Sequence, residues 1–126
     1  MARLKGKVAI ITGGANGIGR AICERFYEEE AIVIIADMNK TAGQEVARHL
    51  GEQASFSQLD VREKDQWHSL VEKTVREHGK LDVLVNNAGI LSTSSRQSVE
   101  DVNLEEWRSV QSVNVEGVFL GCQAAV

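Results

Sequence analysis

The chain has little of what metal and thiol chemistry need. Cys23 and Cys122 stand 99 positions apart, without the paired spacing of a zinc site or redox motif, so reduced packing residues are expected. His49, His68 and His78 fall on helix-patterned stretches with no clustered cysteine or carboxylate beside them. No metal is expected. A basic surplus is also absent. Fourteen Lys and Arg stand against 18 Asp and Glu, a net charge of −4, which leaves a nucleic acid or an anionic membrane without electrostatic support. No apolar run approaches membrane-spanning length, and Met1 to Gly6 lacks a signal-peptide apolar region, so a cytoplasmic chain is expected.

What is present fits one soluble globular domain over residues 1–126, with 43% apolar and 25% charged residues. Its organising stretch is Thr12-Gly13-Gly14-Ala15-Asn16-Gly17-Ile18-Gly19, between the apolar run Val8 to Ile11 and a helix-patterned segment. A strand turning sharply into a helix aims unpaired N–H groups and the positive end of the helix dipole at one point, where an anion is stabilised. Gly13 permits the turn, Gly17 removes a Cβ from the path of a pyrophosphate, and Gly19 lets helix and strand pack closely. The spacing is G-x-x-x-G-x-G, not G-x-G-x-x-G. Glycines alone would also suit a strand-to-helix turn that binds nothing.

Strands are expected at Lys7 to Thr12, Ile32 to Ala36, Ala54 to Gln58 and Leu81 to Asn86. Helices are expected at Gly17 to Glu29, Thr41 to Leu50, Glu63 to His78, and from the N-cap Asn103 to the chain end. The first helix should turn Ile18, Ala21, Ile22 and Phe26 inward. Near-continuous apolar strands alternating with helices imply an α/β, doubly wound parallel sheet. Right-handed crossovers give strand order 3-2-1-4, with the first two helices on one face and the third on the other. The switch point lies between strands 1 and 4, bringing the glycine loop and Asn86-Asn87-Ala88-Gly89 to one cleft. Strand 3 alternates like an edge strand, whereas Leu81 to Val85 reads as a central strand with no later strand to cover it. The sequence looks unfinished.

TGGANGIG at residues 12–19, Asp37, Asp60-Val61, the NNAG of residues 86–89 and Asn114 together resemble the short-chain dehydrogenase/reductase family across essentially the whole chain. The resemblance implies a Rossmann fold and a nicotinamide dinucleotide held by Gly13, Asn16, Gly17, Ile18 and Gly19. Asp37, 18 residues after Gly19, would accept the adenosine ribose hydroxyls and favour NAD, since a 2′-phosphate would meet its charge and neither Ala15, Asn16 nor Met38 is basic. A helix cap is the other reading of Asp37. Asp60 would take the adenine amino group and the Val61 N–H a ring nitrogen, though Asp60 with Glu63 equally fits an N-cap and capping box. Asn87, Ala88 and Gly89 would lie near the ribose and nicotinamide, with Asn86 structural. Asn114, placed by helical spacing on the buried stripe, would belong to a catalytic tetrad, its backbone holding a proton-relaying water. A helix-kinking amide is the alternative.

The family's catalytic serine and Tyr-x-x-x-Lys have no match. The only tyrosine, Tyr27, is followed four positions later by Ala31, and Ser92, Ser94, Ser95 and Ser98 fall in a loop of variable, substrate-side sequence. The resemblance therefore implies an NAD-dependent oxidoreductase acting on a secondary alcohol or ketone, such as a hydroxysteroid. The 126 residues alone are expected to be inactive, and the full-length enzyme to be a homo-oligomer. A non-catalytic NAD-binding module and an inactive truncated copy stay open beside it.

Overall fold

The computed structural model describes residues 2–91 and 98–126. Ser92, Ser94 and Ser95 therefore lie outside the described residues. In chain order the elements are β1 (Val8–Thr12), α1 (Gly17–Glu28), β2 (Ile32–Asp37), α2 (Lys40–Leu50), β3 (Ala54–Gln58), α3 (Lys64–His78), β4 (Val83–Val85), α4 (Leu104–Gln111) and α5 (Gly117–Ala125). A single π-helical turn, Ser112–Glu116, joins α4 to α5. The sheet has the expected order β3-β2-β1-β4 and is parallel throughout, with Ile10 paired to Ile34 on one side and Leu84 on the other.

Every residue of β1 is buried, because alternate side chains feed two separate cores. Val8 and Ile10 pack with Ile34, Trp67, Leu70 and Val113. Ala9 and Ile11 pack with Cys23, Val33, Ile35 and Val46. Helices α1 and α2 thus cover one face, while α3 and the π turn cover the other, as the crossover rule requires. Trp67 is fully buried and its indole N–H donates to the Val61 carbonyl at 2.9 Å. Truncating a tryptophan so placed costs about 3–5 kcal/mol.

Three expectations change. Strand β4 is only Val83–Val85, because the Asn87 N–H turns back to the Val85 carbonyl at 3.1 Å and ends the pairing. In α1, Ile18 and Ala21 are exposed, and the inner face is Gly19 and Cys23 with Ile22 and Phe26 half-buried. Packing Gly19 against the turn rotates Ile18 outward. Asn114 is exposed as well. Val113 of the π turn and Gly117 after it face the core instead.

Candidate cofactor site

Gly13 sits at φ +66 and donates its N–H to the Ala36 carbonyl at 2.8 Å, folding the end of β1 across β2. A Cβ at Gly19 would collide with the Gly13 carbonyl, so only glycine lets α1 start this close to the strand. Gly17 differs: its φ is +56, yet a Cβ there would meet nothing within 4 Å. The space beside it is open. Asn16 is the N-cap of α1 in an extended conformation, its side chain makes no capping hydrogen bond, and the first turn holds no acidic residue. The first N–H groups of α1 are therefore left to whatever enters from that side.

The strand β4 end is bolted to this loop. The Thr12 hydroxyl accepts the N–H groups of Asn87 and Ala88, both at 3.0 Å, and donates to the Val85 carbonyl at 3.3 Å. The Asn87 amide donates to the carbonyls of Thr12 and Gly13 at 3.1 and 3.3 Å. The structural tie is thus Asn87, with Asn86 turned toward Cys122 Sγ at 3.5 Å. Thr12 is the residue the sequence reading passed over. Its signal was its place at the strand end before the first glycine, where a hydroxyl can serve three backbone groups at once.

These bonds wall a cleft of about 370 Å³ that brings together Gly13, Asn16, Gly17, Ile18, Asp37, Val61, Asn87, Ala88 and Gly89. Ala36, Met38, Leu59, Ile90 and Val113 complete its apolar lining. Leu59 and Met38 each directly follow a strand, the end at which ligands of such sheets bind. Gly19 lies behind the loop as its packing residue.

Asp37 stands at the end of β2 with one carboxylate oxygen accepting the Ala15 N–H at 3.1 Å and the other the Asn39 N–H at 2.9 Å. The cap of α2 is Asn39, whose side chain accepts from the Ala42 N–H at 3.0 Å. Asp37 is thus not that cap. Each of its oxygens keeps a lone pair for a further donor.

Asp60 lines a neighbouring depression of about 860 Å³ between α2 and α3. Nor does it cap α3, whose N-cap is Glu63. Its carboxylate is taken by Arg62, through the backbone N–H at 3.0 Å, Nε at 2.9 Å and a terminal nitrogen at 2.7 Å. That guanidinium holds the Asp60 carboxyl below the usual carboxylate range. Asn114 pairs with the backbone of Ile90 in both directions, accepting its N–H at 2.8 Å and donating to its carbonyl at 2.9 Å. It therefore braces the cleft wall from behind.

Cys23 is fully buried beneath Gly14, and burial pushes its thiol up to about 12, which makes it unreactive. Cys122 is exposed, against the expectation that both cysteines pack inside. Among the described residues no three His, Cys, Asp or Glu side chains converge as a metal site. Among the described residues no helix is long and apolar enough to cross a membrane.

The chain is 42% identical to an NADP-dependent (R)-specific alcohol dehydrogenase of Lentilactobacillus kefiri and 40% identical to a 3-beta-hydroxysteroid dehydrogenase of Comamonas testosteroni, over 98% of its own length in each case. It spans 49% and 48% of those proteins, about half the length of the curated relatives it matches. The crystal structure of a 3-ketoacyl-(acyl-carrier-protein) reductase from Brucella melitensis complexed with NADH superimposes with a TM-score of 0.88 at 37% identity, covering 94% of this chain and 48% of that one. The short chain dehydrogenase family model matches residues 7–126. With the glycine turn, the parallel sheet and the cleft at its switch point all in agreement with that match, the chain belongs to the short chain dehydrogenase family.

Proposed function

We propose that this chain supplies the NAD-binding part of an oxidoreductase that interconverts a secondary alcohol and a ketone. The observation that carries the reading is the uncapped start of α1, which opens into a cleft with a carboxylate, Asp37, along its wall. The donor set fits a dinucleotide: free backbone N–H groups for a pyrophosphate, a glycine where a Cβ would fill the approach, and an acceptor for ribose hydroxyls. Gly13, Asn16, Gly17 and Ile18 would hold the phosphates, Asp37 the adenosine ribose, Asp60 and Val61 the adenine, and Asn87, Ala88 and Gly89 the nicotinamide half. Gly19 acts by packing. When bound, the nicotinamide supplies hydride acceptance and donation. The chain's own residues orient it, and Asn114 fixes the Ile90 backbone at the nicotinamide side.

Asp37 supports NAD over NADP, because a 2′-phosphate would approach a carboxylate already committed as an acceptor. Relatives acting on alcohols and hydroxysteroids support the substrate class. The outward face of α4, the π turn and α5 exposes Leu104, Trp107, Val115 and Phe119, which supports pairing with a second copy.

Replacing Gly17 by valine tests the site. Its Cβ meets no protein atom, so the fold should survive with only the strain of a left-handed residue, about 1–2 kcal/mol. NAD binding should be lost. Calorimetric titration and circular dichroism on one sample decide it, and unaltered NAD affinity would remove the loop from the site.

A further inference from the structure

We propose that Arg62 is a specificity-determining residue that sets which purine edge is accepted in the depression beside the cleft, by locking the Asp60 carboxylate in place as a hydrogen-bond acceptor. The inference rests on the reading that Asp60 meets the adenine amino group. Asp60 is fixed at every polar atom. Its N–H donates to Gln66 Oε1 at 2.8 Å, its carbonyl accepts the Glu63 N–H at 3.0 Å, and its carboxylate receives Arg62 in a two-pronged fork. Such a fork fixes the plane of a carboxylate as well as its charge.

The consequence is chemical. A carboxylate held ionised and oriented can accept an N–H from a 6-amino purine but has nothing to donate to a 6-keto purine, whose oxygen it repels. Without Arg62 the Asp60 side chain, only 15% exposed, would be free to rotate away from the purine edge. Arg62 itself is 41% exposed on its side chain, so its removal leaves no cavity in either core.

The test is titration of the 126-residue chain with NAD and with its hypoxanthine analogue, which carries a keto group in place of the amino group, each sample checked by circular dichroism. The unaltered chain should prefer NAD by roughly tenfold or more, the scale of one charge-assisted hydrogen bond. Arg62→Ala should shrink that preference to within about twofold, mainly by weakening NAD. Arg62→Gln, which keeps most of the stem, should do the same should the alanine variant fold poorly, and Arg62→Lys should retain part of the preference. Tighter NAD binding by Arg62→Ala would mean that the guanidinium competes with the purine, and equal weakening of both ligands would mean a merely structural role. Either overturns the proposal. So does an unaltered chain that binds NAD without preferring it, while a chain that binds neither dinucleotide overturns the cofactor reading as well.

Discussion

Among the described residues three asparagines begin helices, and Asn16 behaves unlike Asn39 and Asn103. Asn103 caps α4, its side chain accepting the Glu106 N–H at 2.7 Å, with Glu105 and Glu106 in the first turn to meet the helix dipole. Asn16 starts α1 with an extended backbone, no capping bond and no acid in the first turn. An ordinary helix start satisfies itself. One whose N–H groups face a cleft and are left open has its positive end reserved for a ligand. Two loop amides are already taken, that of Gly13 by the Ala36 carbonyl and that of Ala15 by Asp37.

The largest effect should come from changing Asp37. Asp37→Ala removes the ribose acceptor and frees the Ala15 N–H together, so NAD should weaken by roughly ten- to a hundredfold. Asp37→Arg should go further and raise the NADP-to-NAD affinity ratio, replacing repulsion with a guanidinium that pairs a phosphate. Parallel titrations with both dinucleotides check it. An unchanged ratio would detach Asp37 from the ribose.

A smaller change makes the start of α1 imitate that of α4. Ile18 is 75% exposed at the cleft mouth, so Ile18→Asp buries no charge. Placed in the first turn it should stabilise the isolated helix by about 0.3–1 kcal/mol while setting an anion against an incoming pyrophosphate. NAD affinity should fall about tenfold or more as melting temperature holds or rises. A fall in both would mean that Ile18 matters for packing instead.

Smaller again is the pair Asn103→Ala and Asn16→Ala. The first loses a cap bond and should cost about 1 kcal/mol. The second has no such bond to lose and should cost only a few tenths. Thermal melts of the two variants side by side measure the contrast directly, and equal losses would erase it.

The sheet, its strand order and the glycine turn were legible because they rest on periodicity and on backbone geometry that only glycine adopts. Asn114 was misplaced because the stripe it was counted into is not the buried one: Trp107, seven residues earlier, is itself exposed, and Val113 and Gly117 face the core. The structural role was expected of Asn86, yet Asn87 carries the tie between strands. Neighbouring residues on a strand end point opposite ways, and the sequence does not say which one meets the loop. Arg62 went unread for a similar reason. A surface arginine two residues from an aspartate looks like a solvated charge until the turn folds one onto the other.

At the opposite end of β1 the comparison can be sharpened once more, since the first N–H of that strand is also closed by a side chain. Val8 donates to the Asp82 carboxylate at 2.9 Å, and Lys80 approaches the same oxygen at 3.0 Å. The Val8 N–H first, and Lys80 after it, hold Asp82 below its ordinary 3.8. A carboxylate whose folded pKa lies below its unfolded value adds stability above the unfolded value, and loses it as pH falls through the folded one. Asp82 should therefore steepen the decline in melting temperature from about pH 5 down to about pH 2. The effect should be slight, because the group is solvent-screened. Asp82→Asn keeps an oxygen for Val8 but removes the titration. The variant should melt lower than the parent near neutral pH and converge with it in acid, as followed by circular dichroism at fixed ionic strength. Parallel curves at every pH would show that Asp82 acts only through the neutral hydrogen bond, and that its charge plays no part in closing this end of the strand.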